Sequence, residues 1–596
     1  MRYMGSAGDY KVERPGRLVT RAARLSHGLG WALTGAIAVT LVSTAVRLLG
    51  PLVVRGGIDN GIALGDKSVI IQAAGIYVGL LVIQYFVTMI SQWTVAYVGE
   101  RYLVQLREVV FGKLLRLDMR FFSRTKSGVL VSRMTSDIES LQEFASDGAV
   151  LALSNLLTVV GVTVALVLVD WQMALAVFIV VGVLLGVTVV FQRQARRAYD
   201  QVRERIGIVL SSLQEGISGV RVVQAFTQEG DQATSFGRVN ERHFEANMDA
   251  ARAISWYFPV VAFLRIVAIV ASLAIGASRV IDGSMTIGTL VAFLLYLDWF
   301  FQPIINLSNV YNLLQSALAA LAKLFELLDE PVAVDERPGA FDLPDPVQGS
   351  VDMRDVDFSY LDGTQVLHDV SLSVDAGERV AIVGETGSGK STLAKLVMRF
   401  YDPSRGSVSV DGVDLRDVTR ESRVETMALI PQDSFLFSGS LRENLVYAKP
   451  DATDEDVWRV LEEMRIDEWI ASLPEGLDTE VRERGSRFSA GERQLVALAR
   501  AFLADPAIIV LDEATSNLDP ETEVKVEHAL SALLTDRTSI VIAHRLRSAE
   551  RADRVVVVDA GVIIAEGTHD ELVDRVDQYR ELVEVWQRGG SAGASL

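Results

Sequence analysis

Nine consecutive residues, Gly384-Glu385-Thr386-Gly387-Ser388-Gly389-Lys390-Ser391-Thr392, have the types and spacing to hold a polyphosphate. They fit G-x-x-x-x-G-K-[ST], in which glycines let backbone N–H groups approach phosphate oxygens closely. Lys390 is placed to bridge the β- and γ-phosphates of a nucleotide, and the Ser391 hydroxyl to help hold Mg²⁺. Further along, the apolar run Ala507-Ile508-Ile509-Val510-Leu511 ends in Asp512-Glu513. A buried strand ending in carboxylates suits the metal-holding strand of a P-loop enzyme. Asp512 would contact Mg²⁺, and Glu513 would polarise the attacking water as general base. Three more residues are candidates only in company. Gln432, after Ala428-Leu429-Ile430, could reach Mg²⁺ or the water, and His544, after Ile540-Val541-Ile542-Ala543, could hold the γ-phosphate. Tyr360 closes an alternating stretch and could stack on adenine; an edge-strand core tyrosine is the commoner use of such a residue.

These residues need elements that hold them together. Arg379-Val380-Ala381-Ile382-Val383, before the glycine loop, reads as a buried strand, and Leu393 to Met398, after it, has helical spacing. Strand, loop and helix form the context the motif requires, since the helix N-terminus adds positive field at the phosphates. The reading is a nucleotide-binding α/β domain over residues 351–588.

The remainder of the chain has a different character. Residues 324–596 carry 28 basic against 54 acidic side chains, whereas the first 323 carry 29 against 22. A positive mean hydropathy of +0.28 suggests membrane content. The acidic half argues against nucleic acid as a partner, because phosphate backbones demand lysine and arginine. With no cysteine among the 596 residues, disulfides and thiolate metal sites are excluded.

Residues 1–28 are polar and basic and read as a cytoplasmic segment rather than a cleaved signal peptide. Six apolar stretches follow, near 30–54, 70–97, 147–169, 172–191, 256–280 and 287–314. Each approaches the ~20 residues that cross a bilayer. Basic residues fill the gaps after the second and fourth stretches (Arg101 to Arg133, and Arg193 to Arg221) and are scarce elsewhere. Those gaps, both termini and the acidic half therefore belong on the cytoplasmic side. Apolar spacing at Leu103, Leu106, Val110 and Leu114 extends the membrane helices into the cytoplasm. Arg47, Arg265 and Asp298 lie inside the spans, where charge is costly and faces a cavity or a partner. Arg265 and Asp298 could pair with one another or meet a polar substrate group. The transmembrane domain is placed at 29–330, a Pro-, Gly- and Asp-rich linker at 331–350 and a tail at 589–596.

Between the two nucleotide motifs lies Phe488-Ser489-Ala490-Gly491-Glu492-Arg493-Gln494, and with it the chain resembles an ABC exporter half-transporter over nearly its full length. This segment is similar to the family signature, usually L-S-G-G-Q-x-Q, which acts in trans on the partner's ATP. The resemblance implies that Tyr360 is the adenine-stacking residue, Gln432 the glutamine loop, Ser516-Asn517-Leu518-Asp519 the D-loop and His544 the switch histidine. Phe121-Phe122 to Asp137 is similar to the first coupling segment. Glu215 to Phe226, with Gly219, is similar to the second. The signature departs at Ala490 and Glu492, and Arg482 stands where the family usually has glycine. The chain's own phosphate-binding residues, Glu513 and His544 are intact. This combination resembles the catalytically complete member of an asymmetric heterodimer.

The resemblance implies ATP-driven export of amphipathic substrates (drugs, lipids or peptides) by a dimer with ATP and Mg²⁺ as cofactors, in the bilayer of a bacterial cell membrane. An exporter-fold importer, for example of a metal chelate, and a homodimeric exporter are the alternatives. A soluble ATPase with a membrane anchor needs one span, and a nucleotide-gated channel needs no catalytic glutamate.

Overall fold

The computed structural model describes residues 15–25, 28, 30–360, 363–512, 520–543 and 545–592. Two compact units divide the chain. One comprises Met1–Leu114 with Gly128–Asp329, the other Leu115–Ser127 with Glu330–Leu596.

The N-terminal unit is all helix. Among the described residues, five helical stretches are long and apolar enough to cross a membrane: Gly30–Ile62, Lys67–Arg116, Ser127–Val169, Trp171–Ser218 and Glu229–Ile281. A sixth, shorter apolar segment, Ile287–Pro303, opens the helix Ile287–Asp329. Lys67–Arg116 has 50 residues and Trp171–Ser218 has 48. At ~1.5 Å per residue either is well over twice as long as the ~30 Å hydrocarbon core, so both continue beyond the bilayer. Val162, Leu166, Met173, Leu184, Phe293 and Leu297 pack into the unit's core, while Ile71, Leu168 and Ile179 stay exposed. Outward apolar side chains suit a protein whose solvent is lipid.

Polar caps fix the helix connections. Asp170 takes the place of a long loop: Oδ1 accepts from Gln172 N (3.1 Å) and Met173 N (3.0 Å), and the carboxylate pairs with Arg279. At Gly219 (φ −91°, ψ 7°) the helix Trp171–Ser218 gives way to a short one, Val220–Ala225. Thr227, with φ +54°, turns the chain into Glu229–Ser255.

The C-terminal unit is built on two sheets. Strands β1 (Val351–Ser359), β2 (Gln365–Val374), β4 (Arg405–Val410) and β5 (Val413–Asp414) form an antiparallel sheet in the order β2-β1-β4-β5. The larger sheet runs β12-β11-β3-β10-β9-β6, with β3 (Arg379–Val383), β6 (Met427–Ile430), β9 (Ile508–Asp512), β10 (Thr538–Ile542), β11 (Arg554–Asp559) and β12 (Val562–Gly567). All its neighbours pair in parallel except β11 with β12. Its central strands are apolar runs, as a sheet covered on both faces requires. Gly439–Ser440 (β7) and Glu480–Val481 (β8) form a small separate ladder. One core packs between the two sheets through Phe358, Leu367, Ile382 and Val510. A second holds the helices around Leu461, Leu495 and Val496.

Candidate functional site

Parallel strands deliver their C-terminal ends to one edge of a sheet, where α/β proteins bind ligands. Here that edge carries most of the residues with chemistry. β10 sits between β3 and β9, with Ile542 in register with Ile382 on one side and Asp512 on the other. β6 flanks β9, with Ile430 opposite Leu511. The glycine loop after β3, Asp512 ending β9 and Gln432 two residues past β6 therefore emerge together.

The loop's shape explains its glycines. Gly384 and Gly389 have φ of +150° and +109°, which side chains rarely tolerate. A Cβ on Gly384 would lie 2.0 Å from the Val558 carbonyl oxygen, and one on Gly389 2.8 Å from Leu367 Cδ2. β11 and β2 thus crowd the loop from behind while Glu385, Thr386 and Gly387 stay exposed at its mouth. The helix Lys390–Val397 starts directly after Gly389, with Ser391 and Thr392 in its first turn.

Lys390 is buried, and its ammonium donates to the carbonyls of Gly384 (2.9 Å) and Glu385 (2.7 Å). Burial pushes its pKa below the ordinary lysine value, and the Asp512 carboxylate opposes that shift. Ser388 is buried with its hydroxyl lacking a hydrogen-bond partner, an inwardly placed polar atom in a loop that otherwise offers donors. Gln432 is exposed, and Asp512 is half-buried. The hydroxyl, carboxylate and amide oxygens of Ser391, Asp512 and Gln432 are hard donors of the kind Mg²⁺ takes.

Tyr360 follows β1, and its hydroxyl shares a hydrogen bond with Thr392 Oγ1 at 2.9 Å. Its ring meets Tyr401 edge-on (5.3 Å, 89°), with Lys395 Nζ 5.8 Å above it. The hydroxyl contact ties the tyrosine to the first turn of the loop helix, a proximity that a separation of 32 positions conceals in the sequence. Glu513, the D-loop residues through Asp519, and His544 lie outside the described residues.

The signature segment stands on a separate helix. Ser489 caps the helix Ala490–Ala504: its hydroxyl accepts from Glu492 N (3.2 Å), and Glu492 Oε2 accepts from Ser489 N (2.7 Å). This reciprocal box satisfies two otherwise open donors. The other Glu492 oxygen accepts from the Trp469 indole N–H at 3.1 Å. Ser489 and Ala490 are exposed, whereas Gly491 is buried. Arg482 adopts φ −67° and ψ 174°, extended backbone that any residue takes, so the missing glycine brings no strain there. Trp469 escapes sequence reading because it lies in no motif and reaches Glu492 only through the packing of two helices.

In the N-terminal unit, Arg265 and Asp298 form an ion pair at 3.4 Å, and the Arg47 guanidinium lies 5.0 Å from the Trp299 ring centroid. Of the residues expected to lie in the coupling segments, Phe122 is exposed beside the buried Phe121, and Glu215 O accepts from Gly219 N at 2.9 Å.

Comparison with known proteins places both halves. The family model of the ABC transporter transmembrane region matches residues 33–304, and the ABC transporter family model matches residues 367–516. An uncharacterized ABC transporter ATP-binding protein of Bacillus subtilis, YknV, is 37% identical over 91% of this chain and 90% of its own length. The ATP-dependent lipid A-core flippase of Syntrophus aciditrophicus is 34% identical over 84% of this chain and 83% of its own. A multidrug efflux ATP-binding/permease protein of Mycobacterium bovis is 36% identical over 92% of this chain but only 46% of its own length. A solved bacterial Atm1-family ABC exporter with ATP bound is similar at a TM-score of 0.78 and 28% identity, covering 94% of this chain and 98% of that one. The loop geometry, the apolar helices and these likenesses lead to one assignment: the chain belongs to the ABC transporters, a multi-pass membrane protein of exporter type whose ATP-binding domain couples ATP hydrolysis to transport.

Proposed function

We propose that this chain is the hydrolysis-competent half of a heterodimeric exporter for amphipathic substrates, set in a bacterial cell membrane with the ATP-binding domain and both termini cytoplasmic. The observation that carries it is the contrast within one domain. The phosphate loop has its lysine, hydroxyls and positive-φ glycines in place, whereas Ala490 and Glu492 alter the surface offered to a partner's nucleotide. The names of the relatives, a multidrug efflux protein and a lipid flippase, support an amphipathic cargo. Exposed Val222 and Phe226 at the tip of the second coupling segment support docking to a second subunit.

In this reading the loop N–H groups and Lys390 bind and orient the phosphates, and Tyr360 takes the adenine. Ser391, Asp512 and Gln432 would hold Mg²⁺, which supplies charge neutralisation on the phosphates when bound. Glu513 accepts a proton from the attacking water, and His544 orients it. ATP binding favours one arrangement of the dimer and hydrolysis another, which gives alternating access. Arg265 and Asp298 neutralise one another between spans, so that neither is left alone in the membrane. A homodimer is the second reading, favoured by the intact capping box: Ala490 adds only a methyl group to an otherwise regular helix start.

The test is ATP hydrolysis by the purified chain alone in lipid, beside Glu513→Gln. Little turnover from folded, ATP-binding protein is expected, together with recovery on adding a partner that has an intact signature. Robust turnover by the chain alone, abolished by Glu513→Gln, replaces the heterodimer with the homodimer.

A further inference from the structure

The segment Leu115–Ser127 groups with the ATP-binding unit rather than with the helices on either side of it. Its short helix, Met119–Arg124, is capped by Asp118, whose Oδ1 accepts from Phe121 N at 3.0 Å. The other Asp118 oxygen accepts from Ala333 N at 2.7 Å, and Arg124 pairs with Glu330. Phe121 is buried. These contacts anchor the segment at its edges. One further contact reaches inward, toward the nucleotide residues.

Ser123 Oγ donates to the Met119 carbonyl at 2.6 Å and lies 2.9 Å from the Tyr401 hydroxyl. A serine hydroxyl has one proton, and the carbonyl takes it, so Tyr401 O–H must be the donor to Ser123. Tyr401 is 3% exposed. Its ring packs edge-on against Tyr360 at 5.3 Å and against Phe358 at 5.4 Å. Tyr360 in turn shares its hydroxyl with Thr392 on the loop helix. The loop helix, Tyr360, Tyr401 and Ser123 therefore form an unbroken series of contacts within one unit, with a directional hydrogen bond at its far end.

We propose that Tyr401 is a positioning residue that ties the Tyr360 base site to the coupling segment, so that this segment reads the base of the nucleotide as well as its phosphates. The inference rests on Tyr360 stacking on adenine. A base against the Tyr360 face restrains that ring, the edge-on packing restrains Tyr401, and the buried hydroxyl holds Ser123 in register. A ligand with phosphates alone fills the loop but lays nothing on the Tyr360 face, which is then held only by Thr392, Phe358 and Tyr401. The coupling is an energy shared between two sites and so must be readable from either one.

The natural absence of cysteine makes the measurement direct. Lys126→Cys, on the exposed end of the segment, is labelled with bimane in the full chain in nanodiscs, and fluorescence is followed on titration with ATP or with inorganic triphosphate. ATP is expected to change the signal and triphosphate to leave it nearly unchanged. Tyr401→Phe should cut the ATP amplitude roughly two- to tenfold, the worth of one hydrogen bond, with ATP affinity held within about twofold. Ser123→Ala, at an exposed position, should do the same, and the double variant should lose no more than either single one. Full amplitude in both variants overturns the proposal, as does a full response to triphosphate in the unaltered chain. A loss of amplitude that merely tracks lost ATP affinity also overturns it. Undiminished ATP affinity in Tyr360→Ala rejects the adenine reading itself, whatever the Tyr401 variants do. If Tyr401→Phe fails to fold, Ser123→Ala alone decides the matter.

Discussion

The glycine loop and the signature segment belong to the same domain, yet their surroundings differ. The loop is closed from behind by its own fold: the Val558 carbonyl and Leu367 leave no room for a Cβ at Gly384 or Gly389. Its lysine is buried and already hydrogen-bonded to the loop. The signature segment is a helix start with Ser489 and Ala490 facing outward, where Ser489 and Glu492 cap one another and Trp469 donates to the Glu492 carboxylate. A site enclosed by its own chain constrains its sequence tightly. In the proposed dimer, Ala490 and Glu492 lie instead on a surface that another chain would complete, and such a surface can vary as far as that partner allows.

The comparison breaks first at Glu513. Glu513→Gln should lower turnover by roughly 10²- to 10⁴-fold while ATP still binds, as loss of a general base does. Retained turnover in a partner-reconstituted assay would remove Glu513 from that role. Next is Lys390→Ala, expected to weaken ATP binding at this chain's own site by roughly 10- to 100-fold, the worth of a charge-assisted hydrogen bond. Calorimetry showing unchanged affinity would mean that the loop does not use its lysine.

Repair of the other surface sharpens the contrast. Ala490→Gly with Glu492→Gln should raise hydrolysis by the chain alone on the order of tenfold, the equivalent of about 1.4 kcal/mol in barrier. No gain would show that the altered signature is not what limits self-association into a working site. The smallest effect belongs to Trp469→Phe, which removes one N–H donor from the Glu492 carboxylate. It should cost about 1 kcal/mol in thermal or denaturant stability and leave ATP affinity at the glycine loop untouched. A fall in that affinity would join the two surfaces, which the structure places on separate elements.

Legibility in the sequence followed the range of the interaction. The loop motif, the apolar strands ending at Val383 and Asp512, and the long apolar helices are local patterns, and each appears where its spacing put it. The membrane helices' extension past the bilayer was equally readable, from Leu103, Leu106, Val110 and Leu114, all of which are buried. The family, too, could be recognised from short motifs in their order.

What depends on contacts between distant residues was hidden. No local pattern brings Tyr401 to Ser123, 278 residues away, or places Trp469 on Glu492. That Arg265 and Asp298 lie within ion-pair distance is likewise a matter of helix packing. Residue types and periodicity determined the two-part architecture and the ATP chemistry, because hydrophobic burial and phosphate binding act on short stretches. Which side chains meet was decided by tertiary packing alone, since a hydrogen bond a few ångströms long depends on the placement of whole elements.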